Sequence, residues 1–387
     1  MKKIQLMNKI AKVGTDVFDR NEYEVGDNLV GADAIMVRSA ALHDLKFDAN
    51  LKAIARCGAG VNNIPIERCT KEGIVVFNTP GANANGVKEL AVCALLLAAR
   101  NVVGGIQWAK SLEGTEGVAK AVEAGKSKFA GGEIAGKTLG VIGLGAIGGM
   151  VANAAYALDM QVVGCDPYLS VDAAWNISKN VKKVATFEEI YKNSDYITLH
   201  VPATPATKNM ICAESIAMMK DGVKIINLSR ADLVNAADIK AALESGKVSA
   251  YVTDFPTEDI LAIPGVVAIP HLGASTAESE DNCAVMAAHE LVDFLENGNI
   301  KNSVNFPNVS SPKTEATRVC VLHANVPTLI QQITSVFAEI GANIENYINK
   351  SKGDNAYSMI EVNATLEEGV ASKIEAIDGV YSARIIA

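Results

Sequence analysis

The sequence predicts an α/β fold: parallel sheets flanked by helices over most of the chain, then a small module of strand, helix, strand, strand, helix, strand. Three observations point there. Short apolar runs alternate with helical patterns from Lys3 to Asn297, the signature of parallel architecture. The last seventy or so residues instead place two strands in succession, the split βαβ, ferredoxin-like order. The 387 residues are 49% hydrophobic and 20% charged, with a mean hydropathy of +0.18. That composition excludes disorder and collagen-like fibres and leaves room for two or three separate cores.

The first strands are expected at Lys3–Leu6, Ala34–Val37, Leu51–Ala55 and Ile74–Phe77, where β-branched and apolar residues cluster between turn signals. A long helix fits Gly86–Arg100. A second alternating series follows, with strands at Thr138–Ile142, Gln161–Cys165, Tyr196–His200, Val223–Asn227, Ser249–Thr253 and Val266–Ile269. Ser275-x-x-Glu278 reads as a capping box for a helix ending at Asn297, before Gly298. Asn299–Thr314 has no helical period and reads as a linker. The final module is expected as Thr317–His323, Thr328–Ile340, Asn343–Lys350, Ala356–Val362, Leu366–Ala376 and Val380–Ile386.

Thirty-five basic against 44 acidic residues give a net charge of −9 and a pI near 5.2. A chain so acidic lacks the general field that gathers nucleic acid or anionic membrane. An anionic small molecule would need local cations or backbone amides. The seven cysteines form no C-x-x-C pair, so reduced thiols, a cytoplasmic location and no metal site are expected. The start has lysines without an apolar h-region, so a signal peptide is not expected. The apolar run Leu90–Ala99 is too short to span a bilayer.

The strongest local signal is Gly143-Leu-Gly145-Ala-Ile-Gly148. It follows an apolar strand, opens the helical stretch Ala146–Leu158, and precedes a strand ending at Asp166, 18 residues beyond Gly148. In that context Gly143 makes a tight turn, Gly145 lets backbone approach a pyrophosphate, and Gly148 allows close helix–strand packing. The helix N-terminus offers free N–H groups to phosphate. Asp166 suits ribose hydroxyls and repels a 2′-phosphate. A Rossmann-type domain binding NAD rather than NADP is the expectation.

Ordered stretches across residues 1–307 then resemble the D-isomer-specific 2-hydroxyacid dehydrogenases. They are Arg56-Cys-Gly-Ala-Gly60-Val-Asn-Asn, Asn78-Thr-Pro-Gly, Gly136-Lys-Thr-Leu-Gly-Val-Ile-Gly-Leu-Gly, Leu199-His200-Val-Pro202, Asn227-Leu-Ser-Arg230, Phe255-Pro-Thr-Glu258 and Pro270-His271-Leu-Gly. The seventy C-terminal residues are similar to an ACT domain, an amino-acid-sensing module found in members that act on phosphorylated substrates.

The resemblance implies a catalytic set of Arg230, Glu258 and His271. The chemistry agrees: oxidising a 2-hydroxy acid needs a base near neutral pH, for which His is suited, and an Arg can hold a carboxylate bidentately. The resemblance also implies cofactor contacts from Ala146, Ile147, His200, Pro202, Thr207, Ser229, Asp254, His271 and Gly273, beside the glycines and Asp166. Two departures stand out. Ala231-Asp232 replace the usual paired glycines, and Asp254 directly abuts Phe255, so counting forward from Arg230 puts Asp254, and counting back from Glu258 puts Thr253, at the place of the family's Asp near the nicotinamide; Asp254 is favoured. For the substrate, Arg38 with Ser39 and Arg56 follow strand ends, where open α/β sheets bind ligands. Arg alone at such a place is more often a surface charge, but the pair is expected to hold a phosphate. Gly58, Ala59, Gly60 and Val61, with Arg230 and His271, complete the implied substrate contacts.

In the last module His323, Asn325 and Asn343 match positions that line an amino-acid effector site, often for serine, in ACT domains, although Thr328 stands where glycine is usual. Domain boundaries are expected at 1–98 and 284–307 for a flavodoxin-like substrate domain, 99–283 for the inserted NAD domain, 308–316 for a linker and 317–387 for the ACT domain. A cleft between the first two would close over the reacting groups. A homodimer or homotetramer is expected. The rival readings are a sister enzyme reducing hydroxypyruvate or glyoxylate, and an NADH-sensing regulatory protein on the same fold.

Overall fold

The computed structural model describes residues 1–367 and 369–386; residues 368 and 387, within the expected C-terminal domain, lie outside the described residues. The chain divides into two compact units, one of Met1–Asn83 with the chain from Glu280 onward, the other of Ala84–Ser279.

In the first unit, β1 (Lys2–Leu6), β2 (Tyr23–Gly26), β3 (Ala34–Val37), β4 (Ala53–Arg56) and β5 (Val75–Asn78) form a parallel sheet in the order β2-β1-β3-β4-β5. β3, β4 and β5 are nearly continuous buried apolar runs, as strands covered on both faces must be. The short β2 carries a glycine and two polar-flanked apolar residues, so it offers little periodic signal; it adds an edge that the sequence pattern leaves out.

The second unit holds β6 (Thr138–Ile142), β7 (Gln161–Cys165), β8 (Lys182–Lys183), β9 (Tyr196–Leu199), β10 (Val223–Asn227), β11 (Val248–Thr253) and β12 (Val266–Ala268). All are parallel, in the order β12-β11-β10-β9-β6-β7-β8. Strand order reverses at β6, so the carboxyl ends of β6 and β9 frame the switch point where such sheets bind ligands. β8, with two exposed lysines, is a second edge strand without an apolar signature. Among the described residues no single helix is long and apolar enough to cross a membrane.

The last four strands, β13 (Thr317–Ala324), β14 (Ile344–Lys352), β15 (Asn355–Val362) and β16 (Val380–Ile386), make an antiparallel sheet in the order β14-β15-β13-β16, with helices Leu329–Glu339 and Gly369–Glu375. This is the ferredoxin-like arrangement. Period-two alternation splits β13 and β15 between two cores. Val319, Val321, Ile360 and Val362 face the module's helices. Cys320, Leu322, Tyr357 and Met359 join Phe77, Phe294 and Phe306 of the parallel-sheet core.

The helix before this module runs Ala277–Asn297. Its cap differs from the expected box: Thr276 Oγ1 accepts from Ser279 N at 3.0 Å, while Ser275 donates weakly to the His271 carbonyl. Gly298 follows in the left-handed region at φ 74°. The segment expected as a linker lacks regular structure yet is packed. Phe306 and Ile300 are fully buried, and Asn305 binds Val76 N, Ile74 O and Thr70 Oγ1 at 2.9–3.0 Å. Beyond it Arg318, 1% exposed, pairs with Glu361 at 2.6 Å and donates to the carbonyls of Asn297, Ser311 and Pro312. A buried charge is tolerated only when so completely paired.

Candidate active site

Between β6 and helix Ala146–Ala157 the three glycines have distinct tasks. Gly143 has φ 88°, and a side chain there would meet the His200 carbonyl at 2.4 Å. At Gly148 a Cβ would lie 1.9 Å from Gly143 O. At Gly145 nothing lies within 4 Å, and no side chain caps the helix it precedes, so the N–H groups of Ala146 and its neighbours face open space. Asp166, after β7, accepts from Leu144 N and Tyr168 N, both at 2.9 Å; a carboxylate has further lone pairs for ribose hydroxyls.

Around this turn the remaining cofactor candidates lie on loops at strand ends. His200 directly follows β9; its Nε2 meets Thr198 Oγ1 at 2.9 Å and its Nδ1 is buried without a partner. Burial pulls the imidazole down to about 4, so it is neutral at physiological pH. Thr207 Oγ1 donates to Pro202 O at 2.6 Å, and Ser229 Oγ to Leu199 O at 2.6 Å. Asp254, 1% exposed just beyond β11, accepts from Gly273 N at 3.2 Å through Oδ2 and keeps Oδ1 buried and unpartnered. Burial raises its pKa above the ordinary value, against the opposing pull of Gly273 N–H, His271 and Arg230. Thr253 instead turns its hydroxyl to Phe255 N. An open glycine cradle, free helix amides and an unpartnered buried carboxylate oxygen together fit a dinucleotide.

Of the expected catalytic set, the structure aligns two members through a third residue. The ring of Phe255 packs at 4.7 Å against His271, tilted by 44°, and lies 5.9 Å beneath the Arg230 guanidinium. Arg230 donates to Ser229 O at 2.6 Å, and Asn227 Nδ2 holds the Arg230 carbonyl at 2.8 Å. His271 has φ 45°, uncommon for a residue with a side chain and frequent at functional sites; its N–H is shared between Asp254 O and Ile269 O, each at 3.0 Å. Glu258 opens the short helix Glu258–Leu261, is exposed, and makes no hydrogen bond or ion pair with His271. The expected Glu258–His271 contact is therefore absent from this conformation. Phe255 appeared in the sequence only as part of a motif; its role as a spacer is a tertiary fact.

The substrate candidates lie in the first unit. Arg56 ends β4 with its Nε buried and unpartnered, and burial lowers its pKa, with the Arg38 charge adding to the effect. Gly58, at φ 142°, lies so close that a side chain there would overlap the Arg56 guanidinium. The amides of Ala59, Gly60 and Val61 donate to no group among the described residues. Arg38 pairs with Glu280 at 2.5 Å. The amides of Arg38, Ser39 and Ala40 all donate to Asn8 Oδ1 at 2.9–3.2 Å, so the Ser39 amide is already engaged. Neither Asn8 nor Glu280 was legible in the sequence, because both approach from distant segments.

In the C-terminal module His323 is 2% exposed, with Nδ1 at 2.7 Å from Ala324 O and Nε2 at 3.0 Å from Ser358 Oγ. Asn325 is exposed and donates to Gly353 O; Asn343 is exposed before β14. Thr328 takes a left-handed conformation at φ 70°, the one that favours the glycine it replaces.

Residues 92–273 match the family described as D-isomer specific 2-hydroxyacid dehydrogenase, NAD binding domain. The chain is 33% identical over 353 residues to the D-3-phosphoglycerate dehydrogenase of Escherichia coli K12, covering 87% of this chain and 82% of that one. It is 38% identical over 299 residues to the enzyme of that name from Methanocaldococcus jannaschii, covering 75% of this chain but 55% of the other. The chain thus spans about half the length of some curated relatives. A solved NAD+-bound 3-phosphoglycerate dehydrogenase of Entamoeba histolytica is 28% identical, with a TM-score of 0.61, covering 79% of this chain and 98% of that one.

Proposed function

Because the chain belongs to the D-isomer-specific 2-hydroxyacid dehydrogenase family, we propose that it oxidises D-3-phosphoglycerate to 3-phosphohydroxypyruvate with NAD, the opening step of phosphorylated serine synthesis. The observation that carries the substrate choice is the Arg38 and Arg56 pair. In a chain of net charge −9, Arg56 keeps a buried guanidinium nitrogen without a partner, which a phosphate oxygen would satisfy. Relatives named for this substrate support the same choice.

His271 acts as the base that takes the C2 hydroxyl proton, and Arg230 holds the substrate carboxylate and steadies the developing carbonyl. The free amides of Ala59, Gly60 and Val61 add donors for that carboxylate. NAD, when bound, accepts the hydride. Phe255 fixes the His271 and Arg230 planes, and Glu258 engages the imidazole once substrate is held, since such contacts often tighten only in the complex. In the reverse direction His271 returns the proton to the carbonyl oxygen.

We further assign residues 1–98 and 284–307 to substrate binding, 99–283 to NAD and 317–387 to an ACT domain, in a cytoplasmic homodimer or homotetramer. The buried Val309 and the Ser311 amide, which donates to Asn299 Oδ1 at 3.0 Å, support reading 308–316 as a packed linker. An amino-acid effector such as serine would meet Asn325 and Asn343, since both His323 nitrogens are already bonded.

The test is NADH consumption with 3-phosphohydroxypyruvate beside hydroxypyruvate and glyoxylate, with His271→Ala as control. Turnover of the phosphorylated ketoacid, reduced by roughly a thousandfold or more in the variant, is the expected result. Preference for an unphosphorylated ketoacid would overturn the roles of Arg38 and Arg56. NADH binding without any turnover would point to a sensor.

A further inference from the structure

Where the C-terminal sheet meets the segment after the long return helix Ala277–Asn297, an open groove of about 680 Å³ is lined by Asn78, Asn302, Ser303, Asn308, Lys350 and Lys352. The two lysines lie two residues apart on β14, so they share one side of the strand. Ile348 on that side packs against the parallel-sheet core.

Its chemistry is uniform. Among the described residues no carboxylate lines the groove. Among the described residues neither lysine has an ion-pair partner. Lys352 Nζ donates to Ser303 O at 2.9 Å, and burial lowers its pKa without any neighbouring carboxylate to oppose the shift. The side chains of Lys350 and Asn308 are exposed and, among the described residues, donate to nothing. Asn78 Nδ2 donates to Ala59 O at 2.6 Å, and its backbone N–H donates to Asn302 O at 3.3 Å, which places the groove one hydrogen bond from the Gly58–Val61 loop. Two unneutralised ammonium groups beside amide donors, in a chain with nine more acidic than basic residues, form a local exception to the overall field.

We propose that this groove binds a small phosphate-bearing anion at a site separate from Arg38 and Arg56, with Lys350 and Lys352 neutralising its two charges and Asn308 donating to a remaining oxygen. Charge-assisted hydrogen bonds to phosphate from two ammonium groups are the strong kind.

The experiment is calorimetric titration of the full chain with inorganic phosphate, at ionic strength held constant with chloride. It is run on wild type, on the double variant Lys350→Gln with Lys352→Gln, on Asn308→Asp, and on Arg38→Gln with Arg56→Gln. Phosphate should bind wild type at two sites and the arginine variant at the groove alone, while the lysine variant keeps the arginine site and loses about tenfold or more in affinity at the groove. Asn308→Asp, an exposed change that brings a carboxylate to the anion, should weaken it as well. Tighter binding of glycerol 3-phosphate would assign the natural ligand as an ester, and equal binding as free phosphate. Wild-type affinity in both the lysine and the Asn308 variants overturns the site, as does loss of all binding in the arginine variant or absence of binding in wild type.

Discussion

Glu290, on the return helix, is 8% exposed; Asn302 Nδ2 donates to one carboxyl oxygen at 2.7 Å and the other has no partner. Burial pushes its pKa up from 4.5 to about 8, only partly opposed by the amide. The folded state therefore prefers the neutral acid. Its contribution to stability is full below pH 4.5 and is lost as pH rises through about 8. Glu290→Gln, which keeps the neutral shape, is expected to leave the melting temperature unchanged at pH 5 and to stabilise by about 1–3 kcal/mol at pH 8.5. Thermal unfolding of both proteins at the two pH values checks this; equal melting curves at pH 8.5 would show the carboxyl to be charged and hydrated. At the same scale, the residue types suited to proton transfer and carboxylate binding, His271 and Arg230, were legible from their order along the chain. The ring between them was not, since Phe255 reaches both only through the turn after β11.

The βα turn at Gly143–Gly148 allows an element-scale test, because its glycines serve different ends. A methyl at Gly148 collides with backbone 1.9 Å away, whereas at Gly145 it enters empty space. Gly148→Ala should destabilise the fold by about 1–3 kcal/mol and weaken NADH binding with it. Gly145→Ala should leave the melting temperature unchanged yet cost about tenfold or more in NADH affinity, because its methyl occupies the approach of the pyrophosphate. Fluorescence titration with NADH, beside thermal unfolding, separates the two; unchanged affinity in Gly145→Ala would remove that glycine from the binding role. Elements with strong local patterns were readable in this way. β2 and β8 were not, because Tyr23–Gly26 and Lys182–Lys183 are short edge strands whose pairing, not their composition, makes them strands.

For the molecule as a whole, the C-terminal module is part of a core and not a pendant. Tyr357 OH donates to Gly298 O at 2.6 Å, Arg384 stacks on Phe294 at 3.9 Å, and Cys320 Sγ lies where a side chain on Gly298 would sit. Deleting the chain from Thr317 onward should uncover Phe294 and Phe306, lower the melting temperature, and cause self-association visible by size-exclusion chromatography. A truncated protein that melts as the full chain does would show the module to be merely tethered.

The α/β class, the dinucleotide turn and the chemistry available at the strand ends were all legible in the order of residues alone. These depend on local spacing: glycines at fixed offsets, apolar periods of two or 3.6, and ordered motifs. Folding alone settled that Asn8 fills the amides after β3, that Glu280 pairs with Arg38, that Glu258 stands apart from His271, and that Lys350 and Lys352 gather with no carboxylate among the described residues. Contacts between residues tens to hundreds of positions apart leave no periodic trace, because packing and the pairing of buried polar groups, not the neighbours in sequence, select them.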